Sequence, residues 1–140
     1  MKIKIINGPN LNLLGKREPA VYGTTSFDGY LVELKSQFPD VAIDYFQSNH
    51  EGALIDTLQE LLDSDYVGVV INLGAYTHTS IAIADCLAAL SLPIVEVHIS
   101  NIHARESYRH QSYSGAKCKG IITGLGLKGY ELAIRYLIEA

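Results

Sequence analysis

Residues 66–98 read YVGVVINLGAYTHTSIAIADCLAALSLPIVEVH, and their pattern decides the fold. Tyr66 to Ile71 is almost continuously apolar, as a strand covered by helices on both faces should be. A polar loop from Asn72 to Ser80 follows, and Thr79 or Ser80 can cap the Ala-rich helix that ends before Pro93. Ile94 to Val97 is a second apolar strand. Strand, helix and strand in so short a span predict a parallel βαβ unit.

The same alternation extends to both ends of the chain. Lys2 to Ile6 is a β-branched run that stops at Asn-Gly-Pro. Thr25 or Ser26 caps a predicted helix to about Phe38, ended by Pro39, and Val41 to Phe46 is a strand. A helix is predicted from Glu51 to about Asp63, with Leu54, Ile55, Leu58, Leu61 and Leu62 at helical spacing. Lys119 to Thr123 reads as a short strand and Leu127 to Ile138 as a closing helix. Five βα units predict one flavodoxin-like domain over 1–140, an open parallel five-stranded sheet with helices on both faces. Ligands of such sheets sit beyond the carboxyl ends of the strands, here Asn7, Asn72 and His98.

Composition narrows the function. Hydrophobic residues make up 48% and charged residues 19% of the 140, a globular balance. A net charge of −4 argues against a nucleic-acid partner, which needs a basic surface, so any anion site must be local. No apolar run approaches the roughly 18 residues of a membrane span, and the Met1-Lys-Ile-Lys start leads directly into a strand. Cys86 and Cys118 lack CxxC spacing, and Cys86, among Ala and Leu, reads as a buried thiol. A cytoplasmic protein without a membrane partner is expected.

Chemistry concentrates after the strands. His98 ends a β-branched run, and the next twelve residues hold His103, His110, Arg105, Arg109 and the pair Ser100-Asn101. A core strand cannot bury such groups unpaired, so the segment predicts a pocket for an anionic, oxygen-rich ligand, with His98 placed for acid or base work. The loop after the first strand is long and carries Arg17 and Tyr22 between Gly15 and Gly23, as a hinged flap would. The loop after the third strand offers Asn72 and His78, with Asp85 one to two turns into the next helix and Thr77, Thr79 and Ser80 as natural caps. Two patterns are decoys. Gly124-Leu-Gly-Leu-Lys-Gly129 matches GxGxxG but lies too near the end of the chain for a dinucleotide site, and reads as a tight strand-to-helix turn. The histidines lack zinc spacing, and His50 reads as a structural loop residue.

With these residues in hand, the chain resembles the type II 3-dehydroquinate dehydratases. The resemblance rests on Asn-Gly-Pro-Asn-Leu-Asn-Leu-Leu-Gly (7–15), Arg-Glu-Pro (17–19), Tyr22-Gly23, Phe-Gln-Ser-Asn-His-Glu-Gly (46–52), Gly-Ala-Tyr-Thr-His-Thr-Ser (74–80) and Glu-Val-His-Ile-Ser-Asn (96–101), in family order. Leu73 departs from the family's usual proline, which predicts a looser turn at Asn72. The resemblance implies loss of water from 3-dehydroquinate through an enolate, with Tyr22 as base, His98 as acid and Arg17 lowering the phenol's pKa. One arginine at about 4 Å and an effective dielectric near 20 contributes on the order of 4 kcal/mol, an upper bound of roughly three pKa units.

By the same resemblance, Asn72 and the backbone of Ile99 and Ser100 hold the substrate carboxylate, and His78 and Arg109 hold ring hydroxyls. Asp85 reaches the site from a neighbouring subunit of a dodecamer built from trimers, and Asn10 and Asn12 fix a water. Glu96 orients or charges the His98 imidazole, and Arg105 assists. No metal, cofactor or Schiff-base lysine is expected. Two alternatives remain at this level. A phosphate- or flavin-binding signalling domain of the same fold would want carboxylates where Asn7 and Asn72 stand, and a catalytically dead oligomer would not keep Arg17, Tyr22 and His98 together.

Overall fold

The computed structural model describes residues 1–16, 20 and 24–140. The strands are β1 (Lys2–Asn7), β2 (Ala42–Gln47), β3 (Gly68–Asn72), β4 (Ile94–His98) and β5 (Gly120–Thr123). They form one five-stranded parallel sheet in the order β2-β1-β3-β4-β5. The helices among the described residues are α1 (Phe27–Gln37), α2 (Glu51–Gln59), α3 (Ile81–Ala88) and α4 (Lys128–Glu139). None is long and apolar enough to cross a membrane. The expected flavodoxin-like architecture is present, with strand boundaries displaced by one or two residues.

Local chemistry sets where the helices start. Ser26 Oγ accepts from Gly29 N–H at 3.1 Å, and Ser80 Oγ accepts from Ile83 N–H at 2.9 Å, so each serine satisfies an otherwise orphaned donor of the first turn. Thr77 and Thr79 do not cap α3. Thr77 lies in a 3-10 turn, Gly74–His78, and is fully buried. α2 ends earlier than its apolar spacing predicts. Its last turn tightens, with Leu61 N–H bonding Leu58 C=O at 3.0 Å and Leu62 N–H bonding Gln59 C=O at 3.1 Å, and Asp63 stops it at φ 57°. Leu61 therefore stays in the core while Leu62 is turned outward.

The fourth of the five expected βα units differs most. The β4–β5 connection holds no helix among the described residues, but three short 3-10 turns, Ile102–Ala104, Ser107–Arg109 and Gly115–Lys117. Residues 99–110 carry too many polar donors and too little apolar periodicity to lay a helix on the sheet.

Two cores flank the sheet. Phe27, Tyr30 and Leu34 of α1 and Tyr130, Ala133, Ile134 and Leu137 of α4 pack on Ile3, Ile5, Val70, Val95 and Val97. Leu54 and Leu58 of α2 and Ile83 and Leu87 of α3 pack on Ile6, Val69, Ile71 and Ile94. Each such side chain contributes about 1.5–3 kcal/mol by leaving water. Strand periodicity then assigns the polar residues at the carboxyl ends. Asn7 and Asn72 share the face of Ile5 and Val70, toward α1 and α4, whereas Glu96 and His98 share the face of Ile94, toward α2 and α3.

Candidate active site

Beyond the ends of β1, β3 and β4 lies a cleft of about 230 Å³. Among the described residues its polar wall is Asn10, Asn72, His78, His98, Ser100, Arg105 and Arg109, and Leu11, Leu13, Leu14, Ile99 and Ile102 form an apolar side. Gly8 lets the loop after β1 close over the next strand end, since a Cβ there would meet the Leu73 carbonyl oxygen at 2.5 Å. Gly8 N–H bonds Asn72 C=O at 2.7 Å and pins the two loops together.

The chemical centre of the cleft is a buried acid–imidazole pair. His98 Nε2 lies 2.8 Å from Glu96 Oε2, as their shared face on β4 requires. A carboxylate only accepts, so Nε2 carries the hydrogen and Nδ1 is left as the other titrating nitrogen. Glu96 is fully buried, yet every lone-pair direction is used. Oε2 also accepts from Ser112 Oγ at 2.7 Å, and Oε1 accepts from Thr77 Oγ1 at 3.0 Å and from Ser114 Oγ. Burial pushes the Glu96 carboxyl up, but the His98 hydrogen bond and charge with the Ser114 and Ser112 hydroxyls outweigh it and hold it below its ordinary range. The glutamate thus holds the His98 ring by its Nε2.

His78 has a different character. Its ring stacks near that of His98, with centroids 6.2 Å apart, and its Nδ1 lies 2.8 Å from the Gln111 carbonyl. Burial lowers its pKa against the pull of that carbonyl, and the nearby His98 and Arg109 charges lower it further. A neutral His78 with its hydrogen on Nδ1 keeps an Nε2 lone pair to accept from a hydroxyl. Arg109 donates from Nε to Glu106 at 2.7 Å, and Arg105 Nη1 donates to Ser100 Oγ at 3.2 Å.

The wall after β4 is held from behind by the glycine turn after β5. Gly124 N–H bonds His98 C=O at 3.1 Å, Gly126 N–H bonds Ile99 C=O at 3.0 Å, and Thr123 Oγ1 donates to Ser100 C=O at 3.1 Å. Gly124 at φ 87° and Gly126 at φ 64° adopt backbone that other residues rarely take. The expected strand-to-helix turn is therefore present and buttresses the cleft. The turn at Asn72 is closed by Gly74 N–H to Asn72 Oδ1 at 3.3 Å and Tyr76 N–H to Leu73 C=O at 3.2 Å, with Leu73 fully buried. The turn is closed despite the leucine, whose side chain belongs to the core beneath α2 and α3.

The structure thus brings Asn72, His78, His98, Ile99, Ser100 and Arg109 to one cleft. Asp85 is exposed on α3 and does not line the cleft of its own chain. Asn12 lies beside it, in a groove with Tyr45 and Gln47, so only Asn10 of that pair lines the cleft itself. Arg17 and Tyr22 lie outside the described residues. His50 does not line the cleft, and its backbone N–H bonds Ser48 Oγ at 3.0 Å. Cys86 and Cys118 are both unpaired and half-buried, so the Cys86 thiol is less enclosed than expected.

Four residues escaped the sequence reading. Thr77, Ser112 and Ser114 make the hydroxyl cage of Glu96, and Tyr130 of α4 bonds both Asn72 and Asn7 beneath the cleft. The cage had a signal, since a glutamate inside a buried strand demands donors. Tyr130 had none.

Comparison with known proteins gives a consistent result. The family model for Dehydroquinase class II matches residues 1–138. A 3-dehydroquinate dehydratase of an Exiguobacterium species is 57% identical over 140 residues, 99% of this chain and 95% of the relative. The crystal structure of a type II dehydroquinase from Butyrivibrio crossotus superposes with a TM-score of 0.93 at 48% identity, covering 99% of this chain and 97% of that one. The type II dehydroquinase of Propionibacterium acnes gives a TM-score of 0.95 at 43% identity, with the same coverage of 99% and 97%.

Proposed function

Since this chain belongs to the dehydroquinase class II family, we propose how its residues divide the work of one dehydration. The activity is that of a hydro-lyase of the shikimate pathway, which removes water from 3-dehydroquinate to give 3-dehydroshikimate. The signalling-domain alternative is not supported. The roles rest on the His98–Glu96 pair at the cleft wall, since expelling a hydroxide as water needs a positioned acid.

In this reading the Tyr22 phenolate, with Arg17 lowering its pKa, takes the proton from the carbon beside the ketone. The electron pair passes into an enolate. Its collapse expels the β-hydroxyl, which leaves as water with a proton from His98 Nδ1, and Glu96 supports the imidazolium. Asn72 with the backbone of Ile99 and Ser100 binds the carboxylate, and His78 and Arg109 bind ring hydroxyls. The test is to mix the protein with 3-dehydroquinate alone. Absorbance of the conjugated enone should rise, and its absence would refute the reading.

Two expected outcomes follow from the residues around the cleft. Among the described residues, none of Lys2, Lys4, Lys16, Lys35, Lys117, Lys119 or Lys128 lines it, and an imine with the ketone is not expected. Turnover should survive borohydride added with substrate, and also a chelator. Inactivation by either reagent overturns the enolate route. Asp85 serves the site only across an interface, so the active form is a homo-oligomer, a dodecamer built from trimers, working in the cytoplasm. Sedimentation of active protein should show an oligomer, and a fully active monomer removes the shared site.

A further inference from the structure

The two asparagines at the ends of β1 and β3 are joined by a hydrogen-bond chain whose direction is fixed. Gly74 N–H donates to Asn72 Oδ1 at 3.3 Å, so the oxygen of that amide must face Gly74 and the nitrogen must face the other way. There, Asn72 Nδ2 donates to the Tyr130 hydroxyl at 2.9 Å. A phenol has one hydrogen, and Tyr130 gives it to Asn7 Oδ1 at 2.8 Å. Asn7 Nδ2 then donates to Tyr45 Oη at 3.3 Å. Reversing the Asn72–Tyr130 link would set the Asn72 amino group against the Gly74 N–H, and reversing the Tyr130–Asn7 link would leave the phenol hydrogen without an acceptor in the chain. The chain has one consistent polarity, which leaves the second hydrogen of Asn72 Nδ2 for the cleft that Asn72 lines.

Tyr130 is the hinge of this arrangement. It is fully exposed to neither solvent nor cleft, being wholly buried between α4 and the sheet, and its ring packs against Phe27 and Tyr30 of α1. Burial also raises its pKa well above the ordinary phenol value, so the hydroxyl keeps its proton. We infer that Tyr130 is a positioning residue, whose hydroxyl holds the Asn72 amide with an N–H rather than the oxygen toward the substrate's carboxylate. The inference rests on the proposed role of Asn72 as a carboxylate ligand. Without the phenol, only the longer Gly74 contact holds the amide among the described residues. Once turned, its oxygen would repel an anion.

The experiment is a double-mutant cycle with steady-state kinetics and thermal melts on the assembled enzyme: Tyr130→Phe, Asn72→Ala and both together. Tyr130→Phe should raise KM about tenfold, the effect of one lost hydrogen bond to a buried partner, and change kcat much less. In the Asn72→Ala background the same change should leave KM unmoved, because its only route to the substrate is gone. Asn7→Ala, which keeps the phenol but removes its acceptor, should also raise KM by letting the hydroxyl turn and donate to Asn72; it decides the matter if Tyr130→Phe does not fold. Two results overturn the inference: a lower melting temperature with unchanged KM, or KM effects that multiply in the double variant. If Asn72→Ala alone leaves KM unchanged, the carboxylate role of Asn72 falls first and the inference with it.

Discussion

Tyr22→Phe is expected to lower kcat by about 10²- to 10⁴-fold, the range for a lost general base. KM should move far less, because a group that acts only in the transition state leaves substrate binding nearly intact. The substitution keeps the ring and removes only the ionisable hydroxyl, so it separates chemistry from packing. Arg17→Ala should also lose most of its turnover. Its residual rate should climb toward alkaline pH, as a phenol of ordinary pKa, about 10, begins to ionise unaided. A Tyr22→Phe enzyme that keeps more than about a tenth of kcat, a penalty under roughly 1.4 kcal/mol, would make Tyr22 a packing residue.

Glu96→Gln should injure both the fold and the reaction. The amide has nearly the shape of the carboxylate but carries no charge, and its NH₂ end fits only where the Thr77 and Ser114 hydroxyls turn to accept from it. Breaking a buried charged network in this way costs about 3–5 kcal/mol. A loss of that size lowers Tm by on the order of 10 °C. His98 also loses its charged partner, so kcat at neutral pH should fall about a hundredfold, the low end for acid catalysis. Glu96 holds its proton less tightly folded than unfolded. Its contribution to stability is therefore complete above the ordinary glutamate pKa, about 4.3, and disappears as pH falls through the lower folded value. The acid-unfolding curve of Glu96→Gln should lack that step. A normal kcat with a lowered Tm would leave Glu96 a structural group only.

The sheet was legible because apolar runs of strand length alternate with helical spacing, and because Asn7, Asn72 and His98 end three of those runs. The same logic brought His78, Arg109 and Ser100 to one cleft, while Ile99 was named by the family resemblance alone. What escaped depends on partners distant in sequence. Ser112 and Ser114 sit in an unpatterned connection, and only the folded position of Glu96 gives them work. Tyr130 looks like any aromatic on the apolar face of a closing helix, and its bond to Asn7 spans 123 residues. The early end of α2 was hidden because Leu62 fits the helical period, while the left-handed turn at Asp63 leaves no local sign.

The division of polar residues between the two sheet faces has a consequence for how such an enzyme can change. Asn72 takes its orientation from the core beneath α1 and α4, whereas the His98 ring is held from the side of α2 and α3. On the proposed roles, the aim of the carboxylate ligand Asn72 and the delivery of the proton therefore depend on separate interiors. A cavity opened under α4 should loosen affinity and spare the proton transfer, while repacking under α3 should act first on turnover.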